Sequence, residues 1–171
     1  MKPLLSLLFT AFIFLPGCQP KDDQEQKAPP ETIILNQTPE VCKTILGEPT
    51  QHLQEKEEKA SEVHYLFQGL QIIVHYFEQK SVSAEFRVHQ GDSSQSEKLT
   101  EDQLAIIYDL VAVQEGSLQG LLSFGQSSAK KFLSSQDNTP YLLAIKDRTQ
   151  AKVSPLTKEA LDSFQQEIGL K

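Results

Sequence analysis

Glu62, His75 and Ser83 are the residues of this 171-residue chain whose types together could do chemistry. Acid, imidazole and hydroxyl are the inventory of a hydrolase in which the acid orients the imidazole and the imidazole takes the hydroxyl proton. A catalytic serine also needs a pocket and preorganised donors for the developing oxyanion. Ser83 stands in the run Ser81 to Val88 with no glycine-rich turn beside it, so the three are expected to form part of a solvated polar face, and no enzyme is expected. Four histidines, His52, His64, His75 and His89, are the candidate metal ligands, but no two share the spacing of a helical pair. Zinc needs three or four converging ligands, so no metal is expected, and without a phosphate-binding glycine loop no cofactor either. Cys42 is either a reactive thiol, an intermolecular bridge or a small buried hydrophobe. The last is expected, because Val41, Ile45 and Leu46 flank it and nothing nearby in sequence would stabilise a thiolate.

The stretch that must position these groups is Val63 to Val88. Apolar residues alternate with polar ones through Val63, Tyr65 and Phe67, then Leu70, Ile72, Val74 and Tyr76, then Val82, Ala84, Phe86 and Val88. Period two is the signature of strands with one buried face. A two-residue turn at Gln68-Gly69 pairs Phe67 with Leu70, Tyr65 with Ile72 and Val63 with Val74, which keeps one face apolar. A three-residue turn at Glu78 to Lys80 would then pair Tyr76 with Val82, Val74 with Ala84 and Ile72 with Phe86. In this register Glu62 lies opposite His75, and His75 opposite Ser83. The polar face also carries His64, Leu66, Ile73 and Phe77, an apolar stripe among histidines, which makes it the candidate binding face.

Ahead of this stretch, residues 1–17 read as a signal peptide: Lys2, then an apolar run from Leu4 to Leu15 too short to span a bilayer. Leu15-Pro16-Gly17-Cys18 resembles the lipobox of bacterial lipoproteins, which implies that Cys18 is lipidated and becomes the N-terminus. By the same resemblance, Gln19 rather than Asp after the cysteine implies the outer membrane. Residues 18–31 then form the lipidated cysteine and a polar, proline-containing tether expected to be disordered. A net charge of -7 and the absence of a basic cluster exclude nucleic acid as a partner.

Two units follow, 32–90 and 91–171. Thr32 to Leu35 reads as a short strand. Thr38-Pro39-Glu40 opens a helix that Gly47 ends, with a hydroxyl cap, proline at the first position and an acid in the first turn. The second unit opens on Thr100 and Gln103, a capping box, with Leu99 and Leu104 as its staple and a helix running to about Gln114. Ser117 to Ser128 is either strand or packed loop. Strands at 129–134, 141–146 and 151–154 and a last helix from Thr157 to Ile168 complete it. The fold class expected is α+β, with helices packed on one face of an antiparallel sheet. The recurrence of a helix and three strands suggests two tandem units.

The Thr-led helix, Leu46-Gly47-Glu48-Pro49, a Tyr-containing strand, Gly69 and a hairpin with a polar outer side make Thr38 to Val88 similar to the SmpA/OmlA (BamE-like) small lipoproteins. That resemblance implies an inhibitor-like α+β architecture and outer-membrane lipoproteins that accompany the β-barrel assembly machinery. It transfers no functional residue. The expectation is therefore a lipid-anchored bacterial cell-envelope protein facing the periplasm, with a non-catalytic binding, assembly or scaffold role and an envelope protein as partner. The alternatives are a small periplasmic hydrolase using Glu62, His75 and Ser83, and a small-ligand carrier or sensor.

Overall fold

Residues 33–54, 59–89, 97–114 and 116–170 are described by a computed structural model of the protein. The leader, Cys18 and the tether lie outside the described residues, as do most of the charge run at 55–59 and of the polar linker at 89–98. No helix among the described residues is long and apolar enough to cross a membrane.

Eight strands are described: β1 (Gln51–Gln54), β2 (Ala60–Phe67), β3 (Leu70–Phe77), β4 (Lys80–Val88), β5 (Gln119–Phe124), β6 (Ser127–Leu133), β7 (Pro140–Lys146) and β8 (Gln150–Pro155). They form one sheet in the order β1-β2-β3-β4-β8-β7-β6-β5, with every neighbouring pair antiparallel. Three short helices accompany it among the described residues: α1 (Pro39–Leu46), α2 (Glu101–Leu110) and α3 (Lys158–Glu167). This corrects the α+β expectation of helices layered on one face of two three-strand units. The protein is predominantly β, each half contributes four strands to a single sheet, and the helices lie on both faces. The physical reason is edge pairing. β4 and β8 would each have ended a unit with an open edge, and they satisfy one another through Ala84–Val153, Glu85–Lys152, Phe86–Ala151 and Arg87–Gln150.

The inner face holds the main core. Val63, Tyr65, Leu70, Ile72, Val74, Tyr76, Ala84 and Phe86 pack with Leu143, Ile145, Ala151 and Val153 beneath Cys42 and Leu46 of α1 and Leu104, Ile107 and Leu110 of α2. A smaller cluster on the outer face sets Phe164 of α3 on Ala129, Leu142 and Ala144. The helices begin where the caps require. Thr38 accepts from the Val41 amide, and Thr100 and Gln103 exchange the two bonds of a capping box. α2 ends four residues before the expected Gln114. Ala112 turns left-handed at φ 54°, and the Val113 amide bonds back to the Tyr108 carbonyl. Ile33 to Leu35 is not a strand. It is a buried segment whose Ile34 amide bonds the Leu110 carbonyl at the end of α2.

The β2–β3 register is the one the Gln68-Gly69 turn dictates. Between β3 and β4 the turn has two residues, Glu78 and Gln79, both left-handed (φ 49° and 67°), and Phe77 pairs with Lys80. Tyr76 therefore meets Ser81 rather than Val82, and an irregularity restores the expected pairing from His75–Ser83 onward. Val82 is turned out and is 39% exposed, while Ser81 is 2% exposed. The buried serine is satisfied: its hydroxyl donates to the Ile34 carbonyl and accepts from the Gln37 amide at 2.8 Å. A valine there would leave both backbone groups without that partner, which is why the bulge exchanges the two residues.

Candidate binding face

Alternation places Glu62 and His64 of β2 and Ile73 and His75 of β3 on the outer face, with Ser83, Glu85 and Arg87 of β4 beside them. The seam then adds Lys152 and Gln150 of β8 opposite Glu85 and Arg87. The ionisable groups form one connected line across four strands. His64 Nε2 contacts Glu62 Oε1, and the other Glu62 oxygen lies 3.6 Å from His75 Nδ1. On its far side, His75 Nε2 lies 3.8 Å from Glu85 Oε1. That is an electrostatic contact, too long for a hydrogen bond, and His75 Nε2 is buried without a hydrogen-bond partner.

Glu85 is the most heavily engaged acid. Lys152 Nζ lies 3.0 Å from Oε1, Gln150 Nε2 donates to Oε2 at 3.2 Å, and Arg87 Nη2 lies 3.3 Å from Oε2. The His75 imidazole beside it, and then Lys152, hold its carboxyl down to about 2 from an ordinary 4.5, against burial, which pushes the other way. Its side chain is only 14% exposed, so these charges act with less solvent screening than a surface pair.

The residues singled out for chemistry are adjacent but not wired as a triad. Glu62 lies opposite His75 and His75 opposite Ser83, as the register required. Yet no hydrogen bond joins His75 to Ser83, and Glu62 is turned to His64. No group of three or more His, Cys, Asp or Glu among the described residues could hold a metal ion. Cys42 is buried on the inner side of α1, where its thiol donates to the Ile34 carbonyl at 3.5 Å. Burial pushes the thiol pKa up, outweighing the opposing hydrogen bonds with Tyr76 and Ser81.

Around the charged line lies uncovered apolar surface. Leu66 is 44% exposed and Phe77 47% exposed, with Ile73 half-buried between them. Leu53 of β1, opposite Glu62, adds another side chain exposed at 44%. α3 covers the outer face over Ala129, Leu142 and Ala144, with Leu122 packed beside them, and among the described residues the β1–β4 half has no comparable helix. A groove of about 230 Å³ runs beside α3, floored by Leu142, Ala144 and Phe164 and rimmed by Lys146, Lys152 and Glu167. Its floor residues are already at least nine-tenths buried, so it offers a ligand little apolar surface to cover. Leu66, Ile73, Phe77, His64 and His75 were legible from alternation. Leu53 was not, because β1 is four residues long and three of them are polar. Lys152 and Gln150 were not, because only the seam brings them there.

No family model matches the chain, and no curated protein matches it in sequence. Among solved structures, the chain is similar at a TM-score of 0.34 and 15% identity to an extracellular protein containing an SCP domain from Bacillus anthracis str. Ames. That alignment covers 91% of this chain and 59% of the other, so the chain spans less than two thirds of its length. At that TM-score the similarity assigns neither fold family nor function.

Proposed function

We propose that this protein is a lipid-anchored, non-catalytic cell-envelope protein that docks another envelope protein on the outer face of β1–β4. The observation that carries the reading is the combination on that face of Leu53, Leu66 and Phe77, each more than two-fifths exposed, with a partly buried line of acids, imidazoles and Lys152. Exposed apolar side chains clustered on one patch favour association, and fixed charges set register and exclude wrong partners. The hydrolase alternative has no bond between its base and its nucleophile to rest on. Anchoring rests on the leader and on Cys18 after Leu15-Pro16-Gly17, and outer-membrane placement on Gln19. The resemblance of Thr38 to Val88 to the SmpA/OmlA lipoproteins points to an accessory role beside an envelope assembly.

Two measurements test this. Radiolabelled palmitate is expected to enter the wild-type chain in a lipoprotein-processing bacterium and not the Cys18→Ala variant. Label retained in that variant sinks anchoring at this residue. For docking, a photocrosslinker at Leu66 should capture one discrete envelope protein, and a crosslinker at Glu159 on the exposed side of α3 should not. Phe77→Ser should weaken that capture roughly tenfold, the effect of losing an aromatic anchor, without moving the unfolding midpoint. Equal capture from both positions overturns the docking face.

A further inference from the structure

The inner face of the sheet is left open at its β5 end. Cross-strand pairing sets Ser123 opposite Ser128, Ser128 opposite Ile145 and Lys130 opposite Leu143, so these polar side chains share the face that α2 covers elsewhere. Between them and α2 lies a cleft of about 540 Å³, within the size range of small-ligand sites. Its base is Leu99, Leu104 and Ile145, each at least nine-tenths buried. The polar walls come from segments far apart in sequence. Lys98 and Tyr108 come from the start and the body of the α2 segment, Lys130 and the two serines from the β5–β6 hairpin, and Arg148 from the β7–β8 turn. The Leu99 amide bonds the Arg148 carbonyl at 2.7 Å, which ties the start of α2 to that turn.

Three cations and one acid line this cleft, in a chain whose net charge is -7. The acid, Glu101, is taken by Arg148 at 2.6 Å. Asp147, in the same turn, accepts from the Ser127 hydroxyl at 3.1 Å. Lys98 and Lys130 have no ion pair or hydrogen bond for their ammonium groups among the described residues, and the hydroxyls of Tyr108, Ser123 and Ser128 have no partner there either. The groups of Lys130, Tyr108 and Ser128 are unpartnered yet not sealed from solvent, so a ligand in the cleft can reach them. Lys130 is the most informative of them. It is half-buried on the inner face, two residues from Phe132 of the core, where a lysine loses hydration and gains no acid in return.

We propose that this cleft binds a phosphate monoester group, with Lys130 and Lys98 as its countercharge and the Ser123, Ser128 and Tyr108 hydroxyls as orienting donors. Two unpaired ammonium groups match a dianion, and three hydroxyls match its remaining oxygen lone pairs. A monocarboxylate would satisfy one charge and leave the other cation unmet. A divalent cation would be repelled, and a neutral sugar would leave both ammonium groups uncompensated. The apolar base keeps water from one side of the bound group, which strengthens both charge contacts. The same chemistry recognises the group on a soluble ester and on a lipid headgroup. The cleft is on the opposite face of the sheet from Leu66 and Phe77, so it stands independently of the docking face.

The purified mature chain, with Cys18→Ser to keep it free of lipid, tests this by calorimetric titration with glycerol phosphate and, in a second arm, by binding to phosphatidylcholine vesicles with and without phosphatidic acid. Glycerol phosphate should bind saturably, and Lys130→Met should weaken it roughly tenfold, the effect of losing one charge-assisted contact. Lys98→Met, at an exposed position before α2, should weaken it severalfold and decides the matter if the Lys130 variant fails to fold. Lys131→Met, on the outer face of the same strand opposite Leu142, and Phe77→Ser should bind like the wild type. Binding of the soluble ester makes a free phosphate sufficient. Binding of phosphatidic acid vesicles alone, lost in the Lys130 or Lys98 variant, makes the lipid headgroup the source. No saturable binding of either probe overturns the site. So do Lys130→Met and Lys98→Met variants that bind as tightly as the wild type, or acetate that binds as tightly as glycerol phosphate at equal ionic strength.

Discussion

Replacing Phe86 by alanine is expected to cost about 3–5 kcal/mol of folding stability, the range for deleting a buried phenyl group. Phe86 is fully buried on β4, paired on one side with Ile72 of β3 and on the other with Ala151 of β8. Its ring therefore fills the core at the seam where the two four-strand halves meet. Its neighbours cannot close the hole. Ala84 on the same strand and Ala151 across the seam are both small and completely buried, and they leave the phenyl as the volume above them. A cavity that cannot collapse costs its full transfer and packing energy. Domains of this size are stable by roughly 5–15 kcal/mol, so the loss is a large fraction of the total. Urea unfolding checks it, with Phe77→Ala as the internal control. Phe77 is an aromatic of the same sheet, exposed on the opposite face, and its loss should stay within about 0.5 kcal/mol. A Phe86→Ala variant that unfolds within about 1 kcal/mol of the wild type would mean that the seam is not a shared core.

Acid should unfasten the same seam from its other face. Glu85 has a folded-state pKa of about 2 against an ordinary 4.5. A depressed acid contributes stability that is fully present above the unfolded value and is lost as pH falls through the folded one. The window is therefore pH 4.5 down to about 2, and the shift corresponds to about 3 kcal/mol across it. Glu85→Gln should remove about 2 kcal/mol at neutral pH, because Lys152, Arg87 and His75 then face an amide in place of a charge. The discriminating observation is the difference between wild type and variant in urea titrations at several pH values. That difference should shrink toward zero as pH drops from 4.5 to 2, since protonation makes the two side chains equivalent in charge. Other carboxylates titrate in the same window, but they do so in both proteins and cancel in the difference. A gap that stays constant to pH 2 would show that the carboxylate is not held down by its neighbours.

Much of the β2–β4 meander was legible because its information is local. Alternation from Val63 to Phe77 and the glycine at 69, whose φ of 77° the turn requires, are enough to specify Glu62 opposite His75. The second turn misled for an equally local reason. Glu78 and Gln79 adopt the left-handed region without a glycine to announce it, so the turn read as three residues and Val82 as buried. Ser81 takes the inner position because the Ile34 carbonyl and Gln37 amide need a hydroxyl there. That demand arises from a segment 44 to 47 residues away in sequence. The end of α2 at Leu110 has no local mark either, because the left-handed residue beyond it is Ala112, in a position that glycine usually takes.

The sequence by itself determined the strand faces of β2 and β3, the starts of the three described helices and the composition of the meander's polar face. These depend on period two and on bonds spanning three or four residues, and such interactions are written in neighbouring side chains. Tertiary structure alone decided that the two halves share one sheet, that α3 covers the outer face on one side only, and that Glu85 gains Lys152 and Gln150. Each of these rests on pairing β4 with β8, strands more than sixty residues apart. Either edge could have paired with other partners on local grounds. What selects this arrangement is the joint burial of Phe86, Ala151 and Val153, and that is a property of the packed whole.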